Sequence, residues 1–220
     1  MESRSIAFKR FLDYIRSMNR IDLLKNHYEP RLKKSDTYMV LDWESREAQY
    51  KRFRALTDNI NLYGKSVLDI GCGCGDLFGL MKEKQDSPSY TGVDILEKMI
   101  GRAAEEYPDA RFFCADIFSA DFCVEECFGC PSFNVTFTSG IFNLNAGNNL
   151  EFLKKAVPVL AGLADEAFVF NLLDPASPDH DEDYFYYEPK MAMELALPFA
   201  SEIKLIKGYL SNDYTLICLK

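Results

Sequence analysis

Apolar residues recur at helical spacing over residues 5–26, where Ile6, Phe11, Tyr14, Ile15, Met18 and Ile21 share a face. That spacing predicts an amphipathic helix, with Asn26 and Pro30 near its end. WESREAQYKRFRALTDNI, starting at Trp43, reads as a second helix. Beyond it the period changes. SVLDI (66–70) is a short apolar run that ends at glycines, and DLFGLMKEK returns to helical spacing. YTGVDI (90–95), ARFFCADI (110–117), FNVTFTSG (133–140) and EAFVFNLL (166–173) read as further strands. Helical patterns lie between several of them: LEKMIGRAAEEYP, stopped by Pro108, and NNLEFLKKAVPVLAGL, with Pro158 at a kink or in its last turn. A helix around 188–198 precedes two late strands, SEIKLIKGY and YTLICLK, joined by a turn-like Leu-Ser-Asn-Asp.

Strands alternating with helices of this length predict βαβ units and a parallel sheet covered on both faces. Two final strands in direct succession predict an antiparallel pair, because a parallel pair needs a longer crossover. The expected architecture is α/β: a doubly wound, mostly parallel, seven-stranded Rossmann-like sheet with an antiparallel last strand. Residues 1–62 form a helical extension or cap, and residues 63–220 the α/β domain.

Composition narrows the partners. The 220 residues are 48 % apolar and 27 % charged, as in ordinary globular proteins. No apolar run reaches the roughly 18–20 residues of a membrane span. The charged N-terminal stretch does not read as a signal peptide, which gives a cytoplasmic expectation. A formal net charge of −9 without a dense Lys/Arg cluster argues against nucleic acid. Seven cysteines in such a chain read as reduced thiols.

The chemistry concentrates at strand ends. VLDIGCGCGDL (67–77) places bare glycine backbone where the first strand meets a helix, so a ligand can approach the main chain there. The third glycine comes one residue early for a G-x-G-x-x-G pyrophosphate turn, and Asp69 beside the turn would repel a pyrophosphate. There is no G-K-[ST] for a nucleoside triphosphate. Asp94, ending the second strand, can accept from both hydroxyls of a ribose, or can cap the helix that follows. Asp116, closing the third strand, can accept from an exocyclic amine while the next backbone N–H donates to a ring nitrogen; otherwise it is a solvent-facing strand-end aspartate. Three carboxylates at successive strand ends suit a cationic adenosyl ligand better than an anionic dinucleotide.

VLDIGCGCG, GVDI and CADI, in this order on these strands, resemble the motifs of the class I S-adenosylmethionine-dependent methyltransferases. DWESREAQYKRF, SGIFN, YFYYEPK and GYLSNDYTLICLK further resemble a largely uncharacterised bacterial subgroup of that family. The resemblance implies S-adenosylmethionine as cofactor and methyl transfer as activity. It also implies that Asp69, Gly71 and Gly73 border the methionine moiety. Asp94 and Ile95 would hold the ribose and flank adenine, with Met99 nearby. Asp116 and Ile117 would read adenine, and Ser139 and Gly140 would lie close to the sulfonium. Gln49 and Arg52 are candidates for the methionine carboxylate, or else part of a solvated helix face.

Acceptor and base candidates are few. Phe142, Asn143, Tyr184, Tyr186 and Tyr187 are candidates to line an acceptor, against packing of the aromatic run YFYY into the helical cap. His180, in the loop after the fifth strand, is the candidate base, and His27 a second. Ser139-Gly140-Ile141-Phe142 stands where enzymes that methylate nucleobase amines carry an Asn/Asp-Pro-Pro-aromatic segment. The expected acceptor is therefore a small molecule. Competing readings are a non-catalytic module that binds the same cofactor, and an NAD(P)-dependent oxidoreductase. Cys123, Cys127 and Cys130 are spaced C-x3-C-x2-C. That invites an iron–sulfur cluster, or zinc with Cys114 as fourth ligand. Their place after three βα units, and Gly129 before Cys130, favour small apolar fillers and no metal.

Overall fold

The computed structural model describes residues 20–84 and 88–220. Most of the first predicted helix lies outside the described residues. Its last part, residues 20–28, is helical (α1). A short helix α2 (Thr37–Val40) and the longer α3 (Arg46–Thr57) complete the cap. Ser45 starts α3 by accepting the Ala48 N–H on its Oγ at 3.1 Å, which satisfies one of the donors a helix N-terminus leaves unpaired.

Seven strands follow: β1 (Ser66–Ile70), β2 (Ser89–Asp94), β3 (Arg111–Cys114), β4 (Phe133–Thr138), β5 (Ala164–Leu173), β6 (Glu202–Lys207) and β7 (Asp213–Leu219). They form one sheet in the order β3-β2-β1-β4-β5-β7-β6. All neighbours pair in parallel except β7, which is antiparallel to both β5 and β6. The intervening helices are α4 (Asp76–Glu83), α5 (Glu97–Glu106), α6 (Val124–Phe128), α7 (Asn149–Gly162) and α8 (Pro189–Ala196). The five-residue α6 was not legible: the Cys-rich segment reads as a connection, and Cys127 lies within this turn of helix. Helix α7 runs through Pro158 to Gly162, which places the proline next to the helix's last turn.

Alternation along β1 divides the core. Leu68 and Ile70 face a cluster that takes in α7 and α8, including Leu153, Leu160 and Ala192, while Val67 faces Phe53, Leu77, Leu80 and Tyr90 on the other side. A third, smaller cluster joins the cap to the sheet's carboxyl edge: Val40, Cys74, Leu96 and Met99, with Leu24, Tyr28 and Leu41 packed against them. Strand order reverses between β1 and β4, so the loops after them open a crevice at the carboxyl ends of the strands. The cap covers that crevice. Among the described residues no helix is long and apolar enough to cross a membrane.

Candidate functional site

The crevice is a cavity of about 1510 Å³. Its floor is the run after β1. Gly71, Gly73 and Gly75 have φ of 74°, 56° and 82°, values that cost little only without a Cβ. A Cβ at Gly71 would fall 2.2 Å from Ile141 Cγ2, and one at Gly73 2.9 Å from Leu41 Cδ2. The glycines therefore let the β4 loop and the cap close down on bare backbone. Cys72 and Cys74 are buried, and burial raises both thiols, Cys74 to about 12. They are inert fillers here.

All of the cofactor candidates read from the sequence line this cavity: Asp69, Gly71, Gly73, Asp94, Ile95, Met99, Asp116, Ile117, Ser139 and Gly140. Asp69 is 3 % exposed and its Oδ2 accepts the Tyr90 hydroxyl at 2.7 Å. Burial pushes its pKa up to about 7, against the opposing pull of that hydrogen bond. Asp94 does double duty. Its Oδ2 accepts the Gly73 N–H at 3.0 Å and its Oδ1 the Leu96 N–H at 2.9 Å, tying the glycine turn to the start of α5. Burial raises its pKa, countered by these backbone donors. A carboxylate has about four lone-pair sites, so capacity remains for a ligand. Asp116 accepts the Phe118 N–H on Oδ1 at 3.0 Å, which rigidifies the turn after β3.

Gln49 and Arg52 also line the cavity, and the solvated-face reading fails for both: they are 0 % and 3 % exposed. Their bonds distinguish them. Arg52 is ion-paired to Asp213 at the start of β7 and lies under the Trp43 ring at 4.0 Å. Asn171 of β5 donates to Asp213 Oδ1 at 3.3 Å and accepts the Gly140 N–H at 2.9 Å. A buried polar chain thus runs from the cap through β7 and β5 to the β4 loop. Gln49 donates from Nε2 to Asp76 Oδ2 at 3.1 Å, while its Oε1 has no partner. The free atom is an acceptor.

The aromatic run 184–187 splits by alternation. Backbone bonds from Phe185 N–H to Asn143 O (2.7 Å) and from Tyr187 N–H to Leu173 O (2.9 Å) hold it extended. Tyr184 and Tyr186 face the cavity, as does Asn143. Tyr187 does not: it is fully buried and its hydroxyl donates to Phe142 O at 3.1 Å. Phe142 is likewise a core residue, packed on Phe152 and Phe170 at 5.4 and 6.3 Å. The acceptor role expected for these two is therefore corrected: Tyr187 points away from Tyr184 and Tyr186 because successive side chains of an extended segment alternate, and the turn after β4 directs Phe142 into the core.

Neither of the chain's two histidines lines the cavity. His180 stacks on Tyr186 at 4.1 Å with Nε2 2.9 Å from the Pro175 carbonyl. His27 lies 3.3 Å from Asp42, with its pKa lowered by burial and by Arg31. Tyr184 donates to Asp42 at 2.8 Å, and burial with that bond keeps it protonated. Among the described residues no group of three or more His, Cys, Asp or Glu side chains is placed to hold a metal. Sequence reasoning missed the cap's share of the lining, namely Arg20, Leu24, Tyr28, Leu41, Asp42 and Trp43. Those contacts are long-range, and only the amphipathic spacing of the first helix hinted at them.

Residues 67–161 match the model of a methyltransferase domain family. The chain is 36 % identical over 55 residues to trans-aconitate 2-methyltransferase of Delftia acidovorans (25 % of this chain, 20 % of that one). It is 30 % identical over 104 residues to malonyl-[acyl-carrier protein] O-methyltransferase of Acetivibrio thermocellus (45 % and 34 %). The chain thus spans about a third or less of these two relatives. Its fold matches that of magnesium protoporphyrin IX methyltransferase from Synechocystis, solved with bound SAH, with a TM-score of 0.63 at 14 % identity, over 91 % of this chain and 99 % of that one.

Proposed function

We propose, from the premise that this chain is a class I S-adenosylmethionine-dependent methyltransferase, that it methylates a small-molecule acceptor held beside its cofactor. When bound, the cofactor supplies an activated methyl group on a sulfonium. The observation that carries the reading is the set of three cavity-lining carboxylates, Asp69, Asp94 and Asp116, at the ends of the first three strands. When ionised they favour a cation and repel a phosphate.

The residues fit the cofactor. Asp94 would accept from the ribose hydroxyls with the lone pairs its backbone bonds leave free, and Asp116 with Ile117 would read the adenine edge. The orphaned Gln49 Oε1 is an acceptor, so it would take the methionine ammonium and not the carboxylate. Arg52, held by Asp213, is a weaker candidate for the carboxylate than its charge suggests. The cavity exceeds the roughly 300–1,000 Å³ of single-ligand pockets, leaving room for an acceptor between Asn143, Tyr184 and Tyr186. Transfer is an in-line displacement, so the protein's main contribution is alignment and exclusion of water.

Calorimetric titration with S-adenosylhomocysteine tests the cofactor site. Wild type should bind it, and Asp94→Ala should weaken binding by at least tenfold, since the variant loses both the ribose acceptor and the clamp on Gly73. Unaltered affinity in that variant would refute the assignment. Methyl transfer to any member of a metabolite panel would exclude a purely regulatory cofactor-binding module.

A further inference from the structure

We infer that the methyl acceptor is a carboxylate, anchored by Arg20. This deepens, and rests on, the methyltransferase reading. Arg20, on the cap helix α1, is partly buried and lines the cavity. Its Nη2 donates to the Ile141 carbonyl at 2.8 Å, and its guanidinium lies over the Phe152 ring at 3.1 Å. Neither contact neutralises a charge, and no carboxylate pairs with Arg20 among the described residues. The other described cap arginine in the cavity wall, Arg52, has its partner in Asp213. Burial pushes the Arg20 guanidinium down to about 10, with the charge of Asp116 only partly offsetting the effect. A cation that faces a cavity with no carboxylate paired to it among the described residues favours an anion there.

Its guanidinium meets the β4 loop directly. Ile141, whose carbonyl it grips, follows Ser139-Gly140 and rests on Gly71. An anion on Arg20 therefore lies beside the proposed point of transfer. Asp121, Glu44 and Glu151 line the cavity together with Lys155, and the acidic excess among these four favours a singly charged carboxylate over a doubly charged phosphate.

A carboxylate acceptor also needs no histidine, and none lines the cavity. Hydroxyl and amine acceptors lose a proton during transfer, whereas a carboxylate is already ionised at neutral pH. One carboxylate oxygen forms the O–CH3 bond as the S–CH3 bond breaks, and the electron pair of that bond stays on sulfur. The products are a neutral ester and a neutral thioether, and no proton moves. Charges of opposite sign cancel as the bond forms, which a water-poor cavity favours.

The test uses the full chain saturated with S-adenosylhomocysteine, titrated with 4-phenylbutyrate, its amide and 4-phenylbutylamine. These probes share an apolar body suited to the Phe152 and Tyr184 lining and differ only in the head group. The carboxylate should bind at least about tenfold more tightly than the amide or the amine. Arg20→Gln should erase that preference, and Arg20→Lys should keep part of it, while S-adenosylhomocysteine affinity stays within about twofold in both. Equal binding of the three probes, a preference for the amine, or a preference that survives Arg20→Gln overturns the inference. So does a loss of S-adenosylhomocysteine affinity in Arg20→Gln, which would assign Arg20 to the cofactor. Failure of the wild type to bind S-adenosylhomocysteine would instead defeat the methyltransferase reading itself.

Discussion

Asp69 faces two opposed demands. The strand that makes it the last residue but one of β1 also buries it, and burial raises its pKa to about 7. In the ligand-free protein its folded-state pKa therefore exceeds the unfolded value. The native state binds more protons than the unfolded one between the usual carboxylate range and about pH 7, and stability falls as pH rises through that window. Asp69→Asn removes the slope. The melting temperature of the variant relative to wild type should climb from pH 4 to pH 7 and level off above. A cationic ligand reverses the preference, because it favours the ionised carboxylate. S-adenosylmethionine affinity should thus rise with pH through about 7 in wild type and flatten in Asp69→Asn. A flat wild-type profile in calorimetry would remove Asp69 from the ligand's surroundings. The three strand-end aspartates were legible in sequence because each sits beside a local signal, a strand period breaking at a glycine or a helix start. The unpartnered oxygen of Gln49 was not, because its neighbour Asp76 lies 27 residues away.

Helix α3 and strand β7 are far apart in the chain, yet Arg52 and Asp213 join them in a buried pair. Desolvation still leaves Asp213 with a raised pKa despite the guanidinium. Losing one partner strands a buried charge and costs about 3–5 kcal/mol, whereas replacing both with apolar groups of similar volume is often neutral. Urea unfolding should show Arg52→Leu and Asp213→Leu each destabilised by about that amount, and the double variant recovering most of the loss. Additive losses would mean that the pair is not coupled. The same chain of bonds fixes Gly140 through Asn171, so the double variant should fold while binding the acceptor poorly. The antiparallel end and the βα alternation could be read from periodicity and connection length, since each depends on neighbours a few residues away, whereas the order of the strands in the sheet could not. The YFYY run shows the limit. Its alternation became visible only when the pairings of Tyr184 with Leu144 and of Tyr186 with Leu173 were known.

At the scale of the whole molecule, the cavity lies between two bodies of chain, the sheet's carboxyl edge and the cap. Leu24, Tyr28 and Leu41 reach it from the cap, and the bound-state contacts must therefore bridge both. The part of the cap before α3 meets the sheet through a small apolar cluster around Val40, Cys74, Leu96 and Met99, whereas α3 is anchored in a main core cluster by Tyr50, Phe53 and Leu56. Segments held by few buried contacts open locally at lower free energy than the core. A ligand that binds only the closed form stabilises by about 2.7 kcal/mol at one hundred times its Kd. For a chain of this size, that amounts to roughly 5–11 °C in melting temperature, taking about 2–4 °C per kcal/mol. The gain should concentrate in the cap. Hydrogen exchange with and without saturating S-adenosylhomocysteine should slow most at residues 20–28, at Thr37–Val40 and in the turn after β1. The centre of β5, with Phe168, Val169 and Phe170 fully buried, should be slow in both states. Uniform protection across the sheet, with the cap unaffected, would show that the cofactor binds without the cap closing over it.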